Sequence, residues 1–179
     1  MIRYEPMGLR WKRMTLRTGS MPEHALSSHI EKRLGQILAS WEGTRYVPGQ
    51  RCRQVGVDCV RFVSAVLDEL YHRPVATECP ELPQDISMHN RRGALGGLRS
   101  FLRSYPEHER VFDGWVEPGD IIVSGPPQGG PGHAIIVGPM ENTVWQASSP
   151  CVHYTGLYVA SEFQTVFAVY RLLDRHLWV

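Results

Sequence analysis

The fold is decided by residues 133–147, which read HAIIVGPMENTVWQA. Two short apolar runs, 133–138 and 143–147, flank a short turn-forming segment. This pattern is typical of two antiparallel strands joined by a hairpin loop. Further β-branched runs at 121–123 and 166–172, set apart by Gly and Pro, predict two more strands. We therefore expect an antiparallel sheet in the second half of the chain.

Two helices are predicted in the first half. Ser28 and Glu31 form a capping-box pattern, and an apolar stripe then runs to Trp41. A second helix is predicted to begin after Asp58, a favoured N-cap residue, and to end near Tyr71. Helices in the first half and strands in the second favour an α+β fold, with the helices packed on the antiparallel sheet.

The composition is that of one ordinary globular domain. The chain has 179 residues, 42% hydrophobic and 21% charged, which is enough for one substantial core. A formal net charge of +1 provides no global field for nucleic acid or an anionic membrane. Residues 1–26 lack a sustained period and are predicted to be an irregular arm, and residues 27–179 to be a single domain.

Targeting signals and cysteine pairs are not evident in the sequence. Residues 1–21 lack the apolar core of a secretory signal, and no run approaches the roughly 18 apolar residues that cross a bilayer. We therefore expect synthesis in the cytoplasm without a signal peptide. The cysteines contain no C-x-x-C pair, so free thiols are expected rather than a zinc site or a disulfide framework. The positions concerned are Cys52, Cys59, Cys79 and Cys151.

A reactive thiol is predicted at Cys59. This residue opens the second predicted helix, where unpaired N–H groups and the helix dipole favour a thiolate. Its place on the apolar stripe directs it toward the sheet. A buried, inert cysteine has the same pattern, so the partner decides between the two interpretations.

The predicted partners are His133 and Gln146. If Gly138 pairs with Thr143, Ile135 lies opposite Gln146, and His133 and Gln146 become diagonal neighbours on one face. One hydrogen bond then joins the imidazole to the amide. Thiol, imidazole and amide would act as nucleophile, general base and base-orienting residue. The alternative interpretation is a sheet-edge histidine beside a solvated strand residue, and the other histidines are taken as surface residues without metal-ligand spacing.

Five segments carry a resemblance to a known family: Tyr46, Gly56-Val57-Asp58-Cys59, Pro118-Gly119-Asp120, residues 132–138 and Trp145-Gln146-Ala147. In order and approximate spacing they resemble the NlpC-type cell-wall cysteine peptidases. The resemblance spans roughly residues 30–172.

The resemblance implies a papain-like fold and a set of roles. Cys59 would attack a peptide carbonyl of the peptidoglycan stem, His133 would be the base, and Gln146 the orienting residue. Tyr46 and Asp58 would bind substrate, although Tyr46 fits a core tyrosine equally well. Gln146 stands where the family often has His, and its amide oxygen can still accept from an imidazole N–H.

A second departure follows the cysteine. The family commonly has Ser-Gly there, where this chain has Val60-Arg61, so a different substrate pocket is expected.

The predicted activity is hydrolysis of a peptide bond through a thioester, with no cofactor or metal. An acyltransferase or deamidase on the same scaffold needs the same three residues and stays open. A catalytically silent phage tail or assembly protein stays open as well. By analogy, such a chain without an export signal would be a phage or prophage product, released by lysis or carried in the particle with tail proteins as partners.

Overall fold

The computed structural model describes residues 10–11, 21–71, 108–110, 115–125, 132–157 and 165–172. Its helices are α1 (Met21–Trp41) and α2 (Cys59–Tyr71). Its strands are β1 (Arg10–Trp11), β2 (Arg51–Cys52), β3 (Gly56–Val57), β4 (His108–Arg110), β5 (Trp115–Val116), β6 (Ile121–Gly125), β7 (His133–Val137), β8 (Thr143–Ala147), β9 (Val152–Gly156) and β10 (Thr165–Leu172).

A six-stranded sheet forms the centre of the described residues. Its strand order is β4-β10-β6-β7-β8-β9, and every neighbouring pair is antiparallel. The strands from β6 to β9 follow one another in sequence, and β10 returns to the outer side of β6. The predicted antiparallel sheet is confirmed, and β4 and β9 extend it beyond the four predicted strands.

The hairpin of β7 and β8 has the predicted register. Ile136 pairs with Trp145, and Val137 pairs with Val144. Asn142 closes the loop with a positive φ of 58°, which asparagine tolerates better than most residues. Continued along the strands, this register makes residues 133 and 146 diagonal neighbours on one face.

Helix α2 begins where Asp58 caps it. Oδ1 of Asp58 accepts from the Arg61 amide at 2.9 Å, and Oδ2 accepts from the Arg61 guanidinium at 2.7 Å. An N-cap bond of this kind stabilises a helix by about 1 kcal/mol. The helix is buried along most of its length because α1 packs on it and it packs in turn on β7 and β8. The predicted bounds of this helix are confirmed.

Helix α1 begins at Met21, so the helix start predicted at Ser28 is wrong. Pro22 stands in the first turn, where its missing N–H has no intrahelical acceptor to lose. Within residues 1–26, strand β1 also pairs in parallel with β5. The segment is therefore regular at residues 10–11 and 21–26, contrary to the prediction, while the division into an arm and one domain stays a prediction.

The sheet carries an apolar core on each of its two faces. On the side covered by α1 and α2, here the helix face, lie alternate strand residues such as Ala134, Ile136 and Ala147. On the opposite side, here the far face, the intervening residues such as Ile135 and Val144 form a second cluster. Strand alternation thus determines from which face of the sheet each polar side chain leaves its strand.

Candidate active site

A chain of side-chain hydrogen bonds crosses three strands of the sheet. His133, the first residue of β7, places Nε2 2.8 Å from Oε1 of Gln146 in β8. The amide nitrogen of Gln146 lies 3.3 Å from Nε2 of His153 in β9. Nδ1 of His153 lies 2.9 Å from the carbonyl oxygen of Cys151. The predicted bond between His133 and Gln146 is therefore present, and we name the three side chains the imidazole chain.

Strand register brings the imidazole chain together. Gln146 and His153 are direct partners in the ladder of β8 and β9. His133 is diagonal to Gln146, and such neighbours have Cβ atoms roughly 7–8 Å apart. A long amide and an imidazole can close that gap, whereas shorter polar side chains would fall short. All three side chains are half-buried, so the strands shield them from bulk water only in part.

The contact with Gln146 defines the protonation of the His133 ring. An amide oxygen only accepts, so Nε2 of His133 donates this hydrogen bond. In the neutral ring the proton then sits on Nε2. Nδ1 is the nitrogen that can take up a proton, as a general base must.

Cys59 occupies the first position of α2 and has only 5% of its surface exposed. Cys59 is not part of a disulfide and lies in the helix-face core, and the helix packs against the strands that carry His133 and Gln146. The N–H groups of the first turn stabilise negative charge at this position. The helix thus places a thiol, in a favourable electrostatic position, on the helix face of these strands, whereas by strand alternation His133 and Gln146 begin on the far face.

Asp58 is bound by donors of the protein itself. Besides its two bonds with Arg61, Oδ2 accepts from the Gly49 amide at 2.8 Å, and the residue is only 6% exposed. These bonds tie the preceding loop to the start of α2 and hold Cys59 at the helix start. Substrate binding by Asp58 stays a prediction; the structure gives the carboxylate a positioning role.

Tyr46 is half-buried and packs against the helix-face core. Its backbone amide donates to the Pro150 carbonyl at 2.9 Å, and the residue bridges Val57, immediately before the cap of α2. Tyr46 therefore lies between the start of the helix and the loop that precedes β9. Its role in substrate binding stays a prediction.

His153 is a functional candidate that the sequence pattern did not reveal. It lies on β9, a strand absent from the predicted set, and it is half-buried rather than on the surface. The available signal is the run from Val152 to Thr155, whose β-branched and aromatic residues are typical of a strand. As a third hairpin strand, this run would have placed His153 beside Gln146.

A second polar cluster joins β6 to β10 through Asp120 and Arg171. The carboxylate of Asp120 is 1% exposed and accepts from Nε and Nη2 of Arg171 at 2.8 and 2.7 Å. The Glu117 amide donates to Oδ2 at 2.8 Å across the turn at Gly119, whose φ of 87° favours glycine. Burial raises the pKa of Asp120, and the bonds from Arg171 offset that effect only in part.

Metal and membrane sites are not seen in the part of the chain that the structure describes. Within those ranges, no three His, Cys, Asp or Glu side chains cluster as metal ligands. Nor is any helix there long and apolar enough to cross a membrane. Cys52, Cys59 and Cys151 are not joined in disulfides, and Cys79 lies outside the described residues.

Comparisons with known proteins identify the fold. No protein-family model and no curated protein matches the chain. Among solved structures, the chain is similar to the NlpC/p60 domain of the peptidoglycan hydrolase SagA, with a TM-score of 0.52 and 16% sequence identity. The similarity covers 79% of this chain and 98% of that chain. The chain therefore has the papain-like α+β fold of an NlpC/p60 domain, as predicted.

Proposed function

We propose that this chain is a cysteine peptidase that hydrolyses a peptide bond in peptidoglycan stem peptides. The observation that carries the proposal is the 2.8 Å bond between His133 and Gln146, on strands against which the helix of Cys59 packs. That bond leaves Nδ1 of His133 as the ring nitrogen able to take a proton. The similarity to a domain of a peptidoglycan hydrolase favours a cell-wall substrate.

The proposed activity requires Sγ of Cys59 and Nδ1 of His133 to meet at the end of β7. By strand alternation His133 begins on the far face, whereas α2 lies on the helix face. His133 is the first residue of its strand, so its side chain can turn past the strand end toward the start of α2. The site would thus lie at the rim of the sheet, where a peptide can enter.

The proposed reaction begins with transfer of the Cys59 proton to Nδ1 of His133. The thiolate attacks the peptide carbonyl carbon, a C–S bond forms, and the carbonyl electron pair moves to oxygen. The backbone N–H of Cys59, at the start of the helix, would donate to that oxyanion. When the intermediate collapses, the C–N bond breaks and His133 gives its proton to the leaving amine.

A thioester on Cys59 remains after the amine leaves. His133 takes a proton from water, the resulting hydroxide attacks the thioester carbonyl, the C–S bond breaks, and His133 returns its proton to the sulfur of Cys59. The products are a carboxylic acid and the restored thiol, so one water is consumed for each peptide bond. Gln146 would hold the His133 ring in the required tautomer through both steps.

Digestion of purified peptidoglycan tests this function. We expect the intact chain to release fragments that carry a new amine and a new carboxyl group, identified by mass spectrometry. Cys59→Ala should release none. Cys52→Ala, which removes an exposed cysteine, should match the unmodified chain. Full digestion by Cys59→Ala would exclude this mechanism.

Alkylation kinetics test the proposed contact between Cys59 and His133. With iodoacetamide, we expect Cys59 to react below the pH at which an ordinary thiol ionises, about 8.5. In His133→Ala, the pH at which Cys59 becomes reactive should rise toward that of an ordinary thiol. Exposed Cys52 provides an internal reference in the same sample. Identical pH profiles for Cys59 in the two proteins would contradict the contact.

A further inference from the structure

We infer that His153 is a positioning residue that orients the side-chain amide of Gln146 and, through it, the tautomer of His133. The inference deepens the proposed function and rests on it in one respect: the tautomer of His133 matters only if that ring is a base. The direction of the hydrogen bonds follows from the geometry alone.

The backbone carbonyl of Cys151 sets the direction of the whole imidazole chain. A carbonyl oxygen can only accept, so Nδ1 of His153 donates to it at 2.9 Å. In the neutral ring Nε2 of His153 then accepts, and the amide nitrogen of Gln146, 3.3 Å away, donates to it. The amide oxygen is thereby turned toward His133, whose Nε2 donates at 2.8 Å.

The shape of Gln146 cannot make this choice. The oxygen and nitrogen of an amide have nearly the same size, so either could face His133. A reversed amide would present its NH₂ group to Nε2 of His133, which would then have to accept. The ring proton would move to Nδ1, the nitrogen that has to take the proton of Cys59. His153 opposes this arrangement. The reversed amide would bring its oxygen, an acceptor, against Nε2 of His153, which is also an acceptor.

The backbone around His153 holds its ring in place. Its strand neighbour is Gln146 in the ladder of β8 and β9. On the other side of β9, the Gly43 amide donates to the Val152 carbonyl at 3.0 Å, and the Val152 amide donates to Thr44 at 2.8 Å. Val152 is thus hydrogen-bonded on one side of β9, and His153 is paired with Gln146 on the other side. A ring fixed in this way can impose a direction on the amide of Gln146.

Three variants separate the acceptor of His153 from its bulk. His153→Phe keeps a ring and removes the acceptor. His153→Gln restores an acceptor oxygen at similar reach. Tyr154→Phe is the matched control, because Tyr154 is the next residue of β9, is exposed, and begins on the other face of the sheet.

The first measurement is nitrogen NMR of isotope-labelled histidine rings in the intact chain, at about pH 8, where ordinary imidazoles are neutral. The unmodified chain, Tyr154→Phe and His153→Gln should show His133 protonated on Nε2. His153→Phe should show both tautomers of His133. The His133 signals are assigned by their absence from the spectrum of His133→Gln. If His133 remains protonated on Nε2 alone in His153→Phe, the inference is overturned.

The second measurement is the kinetics of hydrolysis. His153→Phe should lower kcat roughly 5- to 30-fold with little change in KM, and His153→Gln should recover most of the loss. An equal fall in both variants would show that bulk, not the acceptor, matters, and would overturn the inference. If His153→Phe does not fold, His153→Leu makes the same comparison. The NMR measurement needs no substrate, so inactivity of the unmodified chain would refute the proposed function and not the role of His153.

Discussion

The imidazole chain and the Asp120–Arg171 pair are two polar regions of one sheet, and they differ in how their hydrogen bonds end. The carboxylate of Asp120 is 1% exposed, and both of its oxygens accept from groups of the protein. The imidazole chain is half-buried, and its three bonds run from the Cys151 carbonyl oxygen to Nε2 of His133. One region pairs a buried carboxylate with donors of the protein, whereas the other ends on an imidazole, a group that can take up a proton.

The difference teaches what each region contributes. A buried charge surrounded by its own partners holds the fold, because removing one partner strands the other in a poorly solvated place. A half-buried chain that ends on an imidazole costs less to disturb, and under the proposed function it would orient the general base. We therefore expect substitutions in the imidazole chain to lower activity without unfolding, and substitutions in the Asp120–Arg171 pair to do the reverse.

The largest expected effect is that of His133→Ala on catalysis. Loss of the general base should lower kcat/KM by at least about 100-fold, because base catalysis contributes factors of about 10²–10⁴. The free energy of unfolding should change by about 1 kcal/mol or less, since the residue is half-buried at a strand end. Peptidoglycan digestion and denaturant unfolding provide the two measurements.

Ser148→Ala is the matched control for His133→Ala, because Ser148 lies opposite residue 133 when the register of β7 and β8 is continued. Ser148→Ala should change neither kcat/KM nor the free energy of unfolding appreciably. A large loss of stability in His133→Ala with normal activity would reverse the comparison between the two regions.

The next effect is that of Asp120→Ala on stability. The guanidinium of Arg171, only 15% exposed, would keep Glu117 at 3.3 Å and lose the carboxylate that binds it twice. We expect a loss of about 3–5 kcal/mol in the free energy of unfolding, measured with denaturant. Activity per folded molecule should stay unchanged at low temperature.

Glu42→Gln, at an exposed position just after α1, is the control for Asp120→Ala and should stay within about 0.5 kcal/mol. If Asp120→Ala lost activity while keeping its stability, the pair would belong to the site and not to the scaffold.

A smaller effect is expected from Gln146→Ala, which keeps the base and removes the group that orients it. We expect kcat to fall about tenfold, in line with the loss of one hydrogen bond of about 1.4 kcal/mol. Gln146→Asn should behave like the alanine variant, because one methylene less leaves the diagonal gap open. An asparagine variant with full activity would show that the 2.8 Å bond is not needed for orientation.

How far the sequence predicts this molecule depends on how local each feature is. His133 and Gln146 are joined by a hairpin, so the alternation of its two strands is enough to predict that they share a face. The cap of α2 at Asp58 is equally local. The start of α1 was misjudged because a capping-box pattern at Ser28 is compatible with the interior of a longer helix.

Features that depend on distant pairing could not be derived in the same way. Asp120 and Arg171 are 51 residues apart, and no local pattern reports their bonds. Placing His153 requires β9 as well as the hairpin of β7 and β8, and the β-branched and aromatic residues of 152–155 are the only local signal for that strand. Alternation within the hairpin shows that His133 and Gln146 share a face. It does not show whether α2 packs on that face or on the opposite one.

The smallest expected effect is the pH dependence that Asp120 adds to stability. Burial raises its pKa above the ordinary value of 3.8, and Arg171 lowers it only in part. The folded chain therefore binds this proton more tightly than the unfolded chain. The stabilising contribution of the carboxyl group is fully present below 3.8 and is lost as the pH rises through the folded-state pKa.

Comparison with Asp120→Asn isolates this contribution. Asparagine does not titrate, and the contributions of the other titratable groups are the same in both proteins and cancel in the difference. The unfolding free energy of the unmodified chain, relative to Asp120→Asn, should be more favourable at about pH 4 than at about pH 7. Denaturant unfolding at both pH values measures it. A difference that grows toward neutral pH would mean that the bonds from Arg171 outweigh burial, so that the pair favours the charged form and stabilises the fold by its charge.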